Sequence, residues 1–312
     1  MSIPGSGTYA DPYVISNWDD YITAQTSGDA SKWYAFPIDS LQHPTETQLI
    51  EGRLYVDSTG EVIRNPKTAE LSTYYVNPFI LDANDYAPAG LTASLTTKIN
   101  FNGRGGQIRN ITQAVGYNNV HPFVVTGGSP QIKNMGFNNI WSKSDKFFNR
   151  NNDNDYRIYL DRCAFMGKLE NLNTFMNNYM SSATSCAFNF DLENCNSWMS
   201  SFLDSTKYYY CRFNLNGSIS QVRMLSYNSY FTGTMTGQFL FYSGSQYSVC
   251  DMVAGSINAA GGDVYTHCLY NNEKATAASS ASSLPASYLT GVTTADLRDA
   301  DALYATGFPI ER

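Results

Sequence analysis

The chain is poor in charge, proline and cysteine: Asp, Glu, Lys and Arg together make up 15% of its 312 residues, beside 11 Pro and 6 Cys. So few charges leave little material for long solvated helices, whose exposed faces draw on Glu, Lys and Arg. The cysteines, at 163, 186, 195, 211, 250 and 268, include no CxxC pair and are too sparse for a disulfide scaffold. Most of them read as buried thiols. No run approaches the ~18 apolar residues that span a bilayer, so no membrane insertion is expected. A formal net charge of −7 offers no basic field to recruit a polyanion, which argues against nucleic acid. Met1 is followed by Ser-Ile-Pro-Gly-Ser-Gly, with neither a basic nor an apolar leader, so the expectation is a chain first folded in the cytosol.

What the chain has in abundance is aromatic: 23 Tyr and 17 Phe help bring that class to 14%. These are strand formers, and the composition reads as mostly β. From Ile108 onward a six-residue pattern recurs, beginning at Ile108, Ile132, Leu160, Leu192, Tyr208, Leu225, Tyr247 and Tyr265. The starts average about 22 residues apart, the length of one coil in a solenoid of three short strands. The fourth position forms a column of compact side chains: Ile111, Met135, Cys163, Cys195, Cys211, Asn228, Cys250 and Cys268. Such a column suits stacking at about 4.8 Å along a crowded interior. Cys186 falls outside it, and Asn228 marks either an amide ladder or a slip in the alignment. Glycines at 103, 217, 233 and 255 are expected at coil corners, where positive φ turns the chain.

The pattern predicts an all-β fold, a right-handed parallel β-helix with short helical caps at both ends. Residues 98–272 are expected to form the solenoid. Residues 1–97 read as an N-terminal cap and irregular β region, with a helix opened by a capping box from Ser16 to Asp19 and burying Tyr21 and Ile22. Strand signals over 33–38, 49–56, 61–64 and 74–81 share no spacing there, which leaves irregular coils or an inserted subdomain open. Residues 273–312 read as a small-residue linker and a capping helix, with a second box from Thr293 to Asp296 and Gly307 at its end.

Three stretches together resemble the pectate-lyase-like β-helix proteins: Gly5-x-Gly-Thr-x-x-Asp-Pro-Tyr-x-Ile-Ser16, Ile99-Asn-Phe-Asn-Gly103 leading to Ile108-Arg-Asn-Ile111, and Gly291-x-Thr-Thr-x-Asp-Leu to Gly307-Phe-Pro-Ile310. The resemblance is to the non-enzymatic surface and bacteriophage members. It implies a fold more strongly than an activity. Such phage proteins are tail spikes, tail fibres or head fibres, commonly trimeric, so the resemblance implies location in a virion, other virion proteins as partners and a host-surface glycan as receptor.

Chemistry is sparse in the pattern. Glycan cleavage needs two carboxylates roughly 5–9.5 Å apart or a metal-bound acidic cluster. Asp161 and Glu193, both at the second position of the repeat, are the candidate pair, with solvated surface charge the simpler account. Asn151-Asn-Asp-Asn-Asp155 suggests calcium but lacks the distal Glu of an EF-hand. His43, His121 and His267 are isolated from one another, and Gly103-Arg-Gly-Gly106 fits a corner better than a phosphate loop. No catalytic, cofactor or metal residue is therefore assigned. Tyr208, Tyr209, Tyr210, Tyr227, Tyr230, Tyr242, Tyr247, Trp141 and Trp198 are candidates for a contact surface, with the coil interior as the alternative for half or more. The expected function is a virion structural and receptor-binding protein; a glycan-degrading spike and a cell-surface adhesin are the alternatives.

Overall fold

The computed structural model describes residues 3–45, 54–63, 72–118, 120–150, 157–176, 182–198, 207–242, 244–260, 267–276, 289–306 and 308. Its strands pair in parallel and in register from each coil to the next, as a parallel β-helix with three faces. Face A stacks Tyr13–Val14, Trp33–Ala35, Asn100–Asn102, Gln131–Lys133, Tyr159–Asp161, Ser182–Thr184 and Lys207–Tyr209. Face B begins with Ile80–Asp82, Gln107–Arg109, Gly136–Ser142, Ala164–Glu170 and Ala187–Ser197. It continues through Tyr230–Met235, Val249–Val253 and Cys268–Asn271 to Leu289–Val292. Face C stacks Leu95–Thr97, Phe123–Val125, Lys146–Arg150 and Thr174–Met176. One long strand, Arg212–Tyr227, runs through all three faces without a break, pairing in turn on faces B, C and A.

Alternation explains why three-residue strands suffice. On face A the middle residue points inward, so Tyr34, Phe101, Ile132, Leu160, Ala183 and Tyr208 are buried while their neighbours alternate to the outer side, where Ala35 and Asn102 are covered as well. On face B the inward column includes Phe137, Phe165, Phe188, Phe213 and Phe231. Successive ring centroids lie 4.5, 5.3, 4.8 and 4.7 Å apart and the planes within 14° of parallel. A second stack, Phe147, Phe175 and Trp198, steps by 4.7 and 4.5 Å. Each stacked pair adds about 0.5–1.5 kcal/mol beyond the area it buries. In-register pairing therefore converts a Phe-rich composition into a continuous core.

Most corners are set by left-handed residues other than glycine. Between faces A and B these are Arg104, Asn134, Arg162, Ser185, Tyr210, Asn228, Tyr247 and His267, with φ between 47° and 54°, and at the first of these corners Gly105 follows with φ 82°. Between faces B and C they are Asn110, Asn139, Asn171 and Asn194. Gly103 and Gly255 lie at corners as expected, though without positive φ, whereas Gly217 and Gly233 have positive φ but lie inside strands. A Cβ on Gly217 would stand 2.1 Å from the Leu192 carbonyl oxygen, so the close approach of two coils there requires glycine.

These two corners correct the compact column. From Asn134 onward the residue after each A–B turning residue is Met135, Cys163, Cys186, Cys211, Ser229, Ser248 or Cys268, so Cys186 belongs to the column and Asn228 is one residue out of step with Ser229. Ile111 and Cys195 follow B–C corners, and Cys250 sits in a face B strand in register with Phe231. All six thiols are free and buried. Size is not the whole reason for the column. The Cys186 sulfur accepts from the Cys163 N–H at 3.4 Å, Ser229 Oγ from the Cys211 N–H at 3.1 Å and Ser248 Oγ from the Ser229 N–H at 3.2 Å. Each of these three side chains also donates to the carbonyl two residues before it. The corner turns an N–H away from the ladder, and a short thiol or hydroxyl on the next coil takes up that donor.

The stack begins upstream of residue 98. Trp33–Ala35 pairs with both Tyr13–Val14 and Asn100–Asn102. The segment between faces A and B of that first coil carries antiparallel bridges Gln42↔Val76, Val56↔Val62 and Val56↔Tyr75, an insertion that hides the coil spacing. Helix α1, Trp18–Ser27, is capped by Asn17, one residue later than expected, and Asp20 returns a bond to the Ser16 N–H. It buries Trp18, Tyr21, Ala24 and Gln25, with Ile22 only partly covered. At the other end the Thr293 to Asp296 box is reciprocal. The single helix expected there is a 3₁₀ turn at Asp296–Arg298 followed by helix α2, Ala300–Ala305. Leu297, Leu303 and Phe308 pack on Val249, Leu269 and Val292 of face B. Gly307 lies outside the described residues.

Candidate functional site

Face A carries the most developed surface chemistry. Its outward residues form two rows, Gln131, Tyr159, Ser182 and Lys207 in one and Asn102, Lys133, Asp161, Thr184, Tyr209 and Tyr227 in the other. Small Ser182 and Thr184 between larger neighbours leave a depression of about 310 Å³, lined also by Gln131, Lys133, Tyr159, Leu160 and Asp161. On one side the Tyr209 and Tyr227 rings stack at 4.8 Å.

On the other side is a polar knot. Tyr9 and Trp33 meet edge to face at 4.6 Å, and the Lys133 ammonium lies 5.4 and 5.5 Å from their ring centres. Lys133 also stands 4.0 Å from Asp161. Arg162, at the corner, bridges Asp161 at 3.0 Å and Glu61 of the insertion at 2.7 Å. Tyr9 donates its hydroxyl proton to Glu61, and the Val62 N–H donates to Asn134. The insertion is thus pinned to the coils beside the depression. One oxygen of Asp161, Oδ1, is buried without a hydrogen-bond partner.

The electrostatics of this knot favour fixed charges. Burial alone would raise the Glu61 pKa, but the Tyr9 hydrogen bond, the Arg162 charge and amide bonds outweigh it and hold the carboxyl below its usual range. A general acid for glycoside cleavage needs the opposite shift. Arg162 is held charged more firmly than usual: its bonds to Asp161 and the charges of Asp161 and Glu61 overcome the cost of burial.

Asp161 and Glu193 are not brought together. Asp161 lies on face A, whereas Glu193 lies on face B in register with Glu170. The Lys168 ammonium joins those two glutamates at 3.0 and 2.6 Å, and the Trp141 indole donates to Glu170 at 2.7 Å. Glu170 was overlooked in the sequence, although Glu170-Asn171 and Glu193-Asn194 repeat the same phrase before a corner. Its carboxyl also sits below the ordinary range, because bonds from Trp141 and Lys168 and the nearby lysine charges outweigh burial. Both glutamates serve as anchors for lysine.

The histidines are dispersed. His43 faces the Tyr74 carbonyl, and His267 faces that of Thr306 while stacking on Tyr247. His121 contacts Ser144 and lies 3.6 Å from Asp145, a serine–histidine–aspartate set that the sequence did not suggest. Both partners approach the same nitrogen, Nδ1, so the ring cannot pass a proton from one to the other as a catalytic relay does. Burial lowers its pKa. Among the described residues no group of three or more His, Cys, Asp or Glu side chains is placed to hold a metal. Asn151 to Asp155 lies outside them.

Of the candidate contact aromatics, Tyr208 and Trp198 are fully buried, while Tyr210, Tyr230 and Trp141 are exposed. Tyr209, Tyr227 and Tyr247 are half-buried, and the Tyr242 side chain lies outside the described residues. Gly103 to Gly106 forms an A–B corner between Asn100–Asn102 and Gln107–Arg109. No family model, curated protein or solved structure matches the chain.

Proposed function

We propose that the chain is a bacteriophage virion structural protein of the tail-spike, tail-fibre or head-fibre kind, which binds a host-surface glycan on face A without cleaving it. The depression over Ser182 and Thr184 carries this reading. It sets hydroxyls, amides and a carboxylate beside aromatic rings, the mixture that stacks on a sugar ring and hydrogen-bonds its edge. In-register stacking supports it, because each side chain is held by the coil before and after it and little entropy is lost on binding. The resemblance of the sequence to phage β-helix proteins supports assembly with other virion proteins in the host cytoplasm, as a homotrimer.

Two measurements test the proposal. An antibody to the chain should decorate intact particles by negative-stain imaging; particles that stay bare sink the virion assignment. The purified chain should bind host polysaccharide, and Thr184→Arg, which fills the depression, should weaken that binding at least tenfold with an unchanged melting temperature. Undiminished binding by that variant refutes the site.

A further inference from the structure

We propose that Cys186 is an oxidative modification site, at which a peroxide closes a disulfide to Cys163 or Cys211 and so ties two neighbouring coils together. The three cysteines follow the A–B corner on three consecutive coils, and the adjoining strands pair in register through Ala164↔Ala187↔Arg212. Neighbouring parallel strands lie about 4.8 Å apart. That falls inside the roughly 4.4–6.8 Å between Cα atoms that a disulfide requires. Cys163 and Cys211 are two coils apart, near 10 Å by the same spacing, and cannot join directly. Cys186 is therefore common to both possible bonds, and only one can form at a time.

The thiol surroundings agree. All three are buried and free. Cys186 accepts the Cys163 N–H at 3.4 Å and donates to the Thr184 carbonyl, while Cys163 and Cys211 donate to the carbonyls of Ile132 and Ala183. Burial pushes the Cys163 and Cys211 thiols up. Burial acts on Cys186 in the same direction, but the Cys163 and Cys211 thiols beside it and the Cys163 N–H outweigh burial and hold Cys186 below its ordinary range. Its thiolate is the nucleophile. It attacks one peroxide oxygen, the O–O bond breaks, and a sulfenic acid forms as hydroxide leaves and takes up a proton. A neighbouring thiol then attacks the Cys186 sulfur, gives up its proton, and displaces water. Two thiols lose two electrons in all, and hydrogen peroxide is reduced to two waters.

The test is hydrogen peroxide treatment of the full-length protein, followed by alkylation of the unfolded chain and peptide mapping. The expected result is loss of two of the six thiols and a peptide linking Cys186 to Cys163 or Cys211. Cys186→Ser, which places at this corner the residue that Ser229 and Ser248 already supply, should keep its melting profile and form no linked peptide. Six alkylated thiols after treatment of the wild type, a Cys163–Cys211 link, or unchanged cross-linking in Cys186→Ser would each overturn the proposal.

Discussion

The A–B and B–C corners turn the chain through the same left-handed step but hold it in different ways. At A–B the turning residue is Asn, Arg, Ser, Tyr or His, and the next residue is usually a Cys or Ser whose side chain bonds inward to the backbone. At B–C every non-glycine turning residue with positive φ is Asn, and three of the four residues that follow are the apolar Ile111, Ile140 and Leu172. A left-handed conformation costs most residues about 1–2 kcal/mol and Asn less. Where internal hydrogen bonds over-determine the turn, any residue is tolerated in it; where the inner side chain is hydrocarbon, the turning residue must suit the conformation itself. The amides at B–C then link outside the wall. Asn139 donates to Asn110 at 2.6 Å, and Asn110 donates to Asp82 at 2.7 Å.

The sharpest way to break this contrast is Ser229→Val. It leaves the buried Cys211 N–H without an acceptor and crowds the corner, and should cost about 3 kcal/mol by urea denaturation. A smaller loss, about 1.5 kcal/mol, is expected for Asn139→Ala, while Asn139→Gly should lose under ~0.5 kcal/mol because glycine accepts positive φ. If Ser229→Val melts no lower than Asn139→Ala, the two corners do not differ as described.

Acid should give the mildest effect, and it touches both corners. Glu61 beside Arg162 and Asp82 beside Asn110 are both held below their ordinary pKa, with hydrogen bonds and a nearby arginine outweighing burial in each. A carboxyl depressed in the folded state stabilises it above the unfolded pKa of about 4, and that contribution disappears as pH falls through the folded value. Melting temperature should therefore hold through neutral pH and drop below about pH 4. Glu61→Gln should flatten part of that drop by circular dichroism, and an unaltered acid limb would remove Glu61 from the account.

The coil repeat was legible because inward columns impose a regular alternation on the sequence. Met135, Cys163, Cys211 and Cys268 were placed correctly on that basis. Ile111, Cys186, Cys195 and Cys250 were misassigned because one six-residue template cannot separate two corners and a strand that all favour compact side chains. The first coil escaped notice for another reason: its A and B strands, Trp33–Ala35 and Ile80–Asp82, are separated by an insertion that breaks the spacing without breaking the pairing. Face A was legible only in part. Lys133 and Asp161 are 28 residues apart and Glu61 is far from both, so no local phrase brings the knot together. Asp161 and Glu193 shared a template position, but they precede different corners and belong to different faces.

The strand Arg212–Tyr227 shows what the fold leaves free to change. It passes from face C to face A without an intervening residue, Met224 leading straight to Leu225, whereas elsewhere that passage spans Arg150 to Tyr159 or Met176 to Ser182. Coils accordingly differ in length, being 23, 18 and 19 residues long at the steps Cys163–Cys186, Cys211–Ser229 and Ser229–Ser248. Over these steps the change in length falls at the edge of face A, outside the aromatic stacks. A lineage of such chains can therefore redraw the border of face A by insertion and deletion while the ring stack stays in step, so that this face and the core evolve at separate rates.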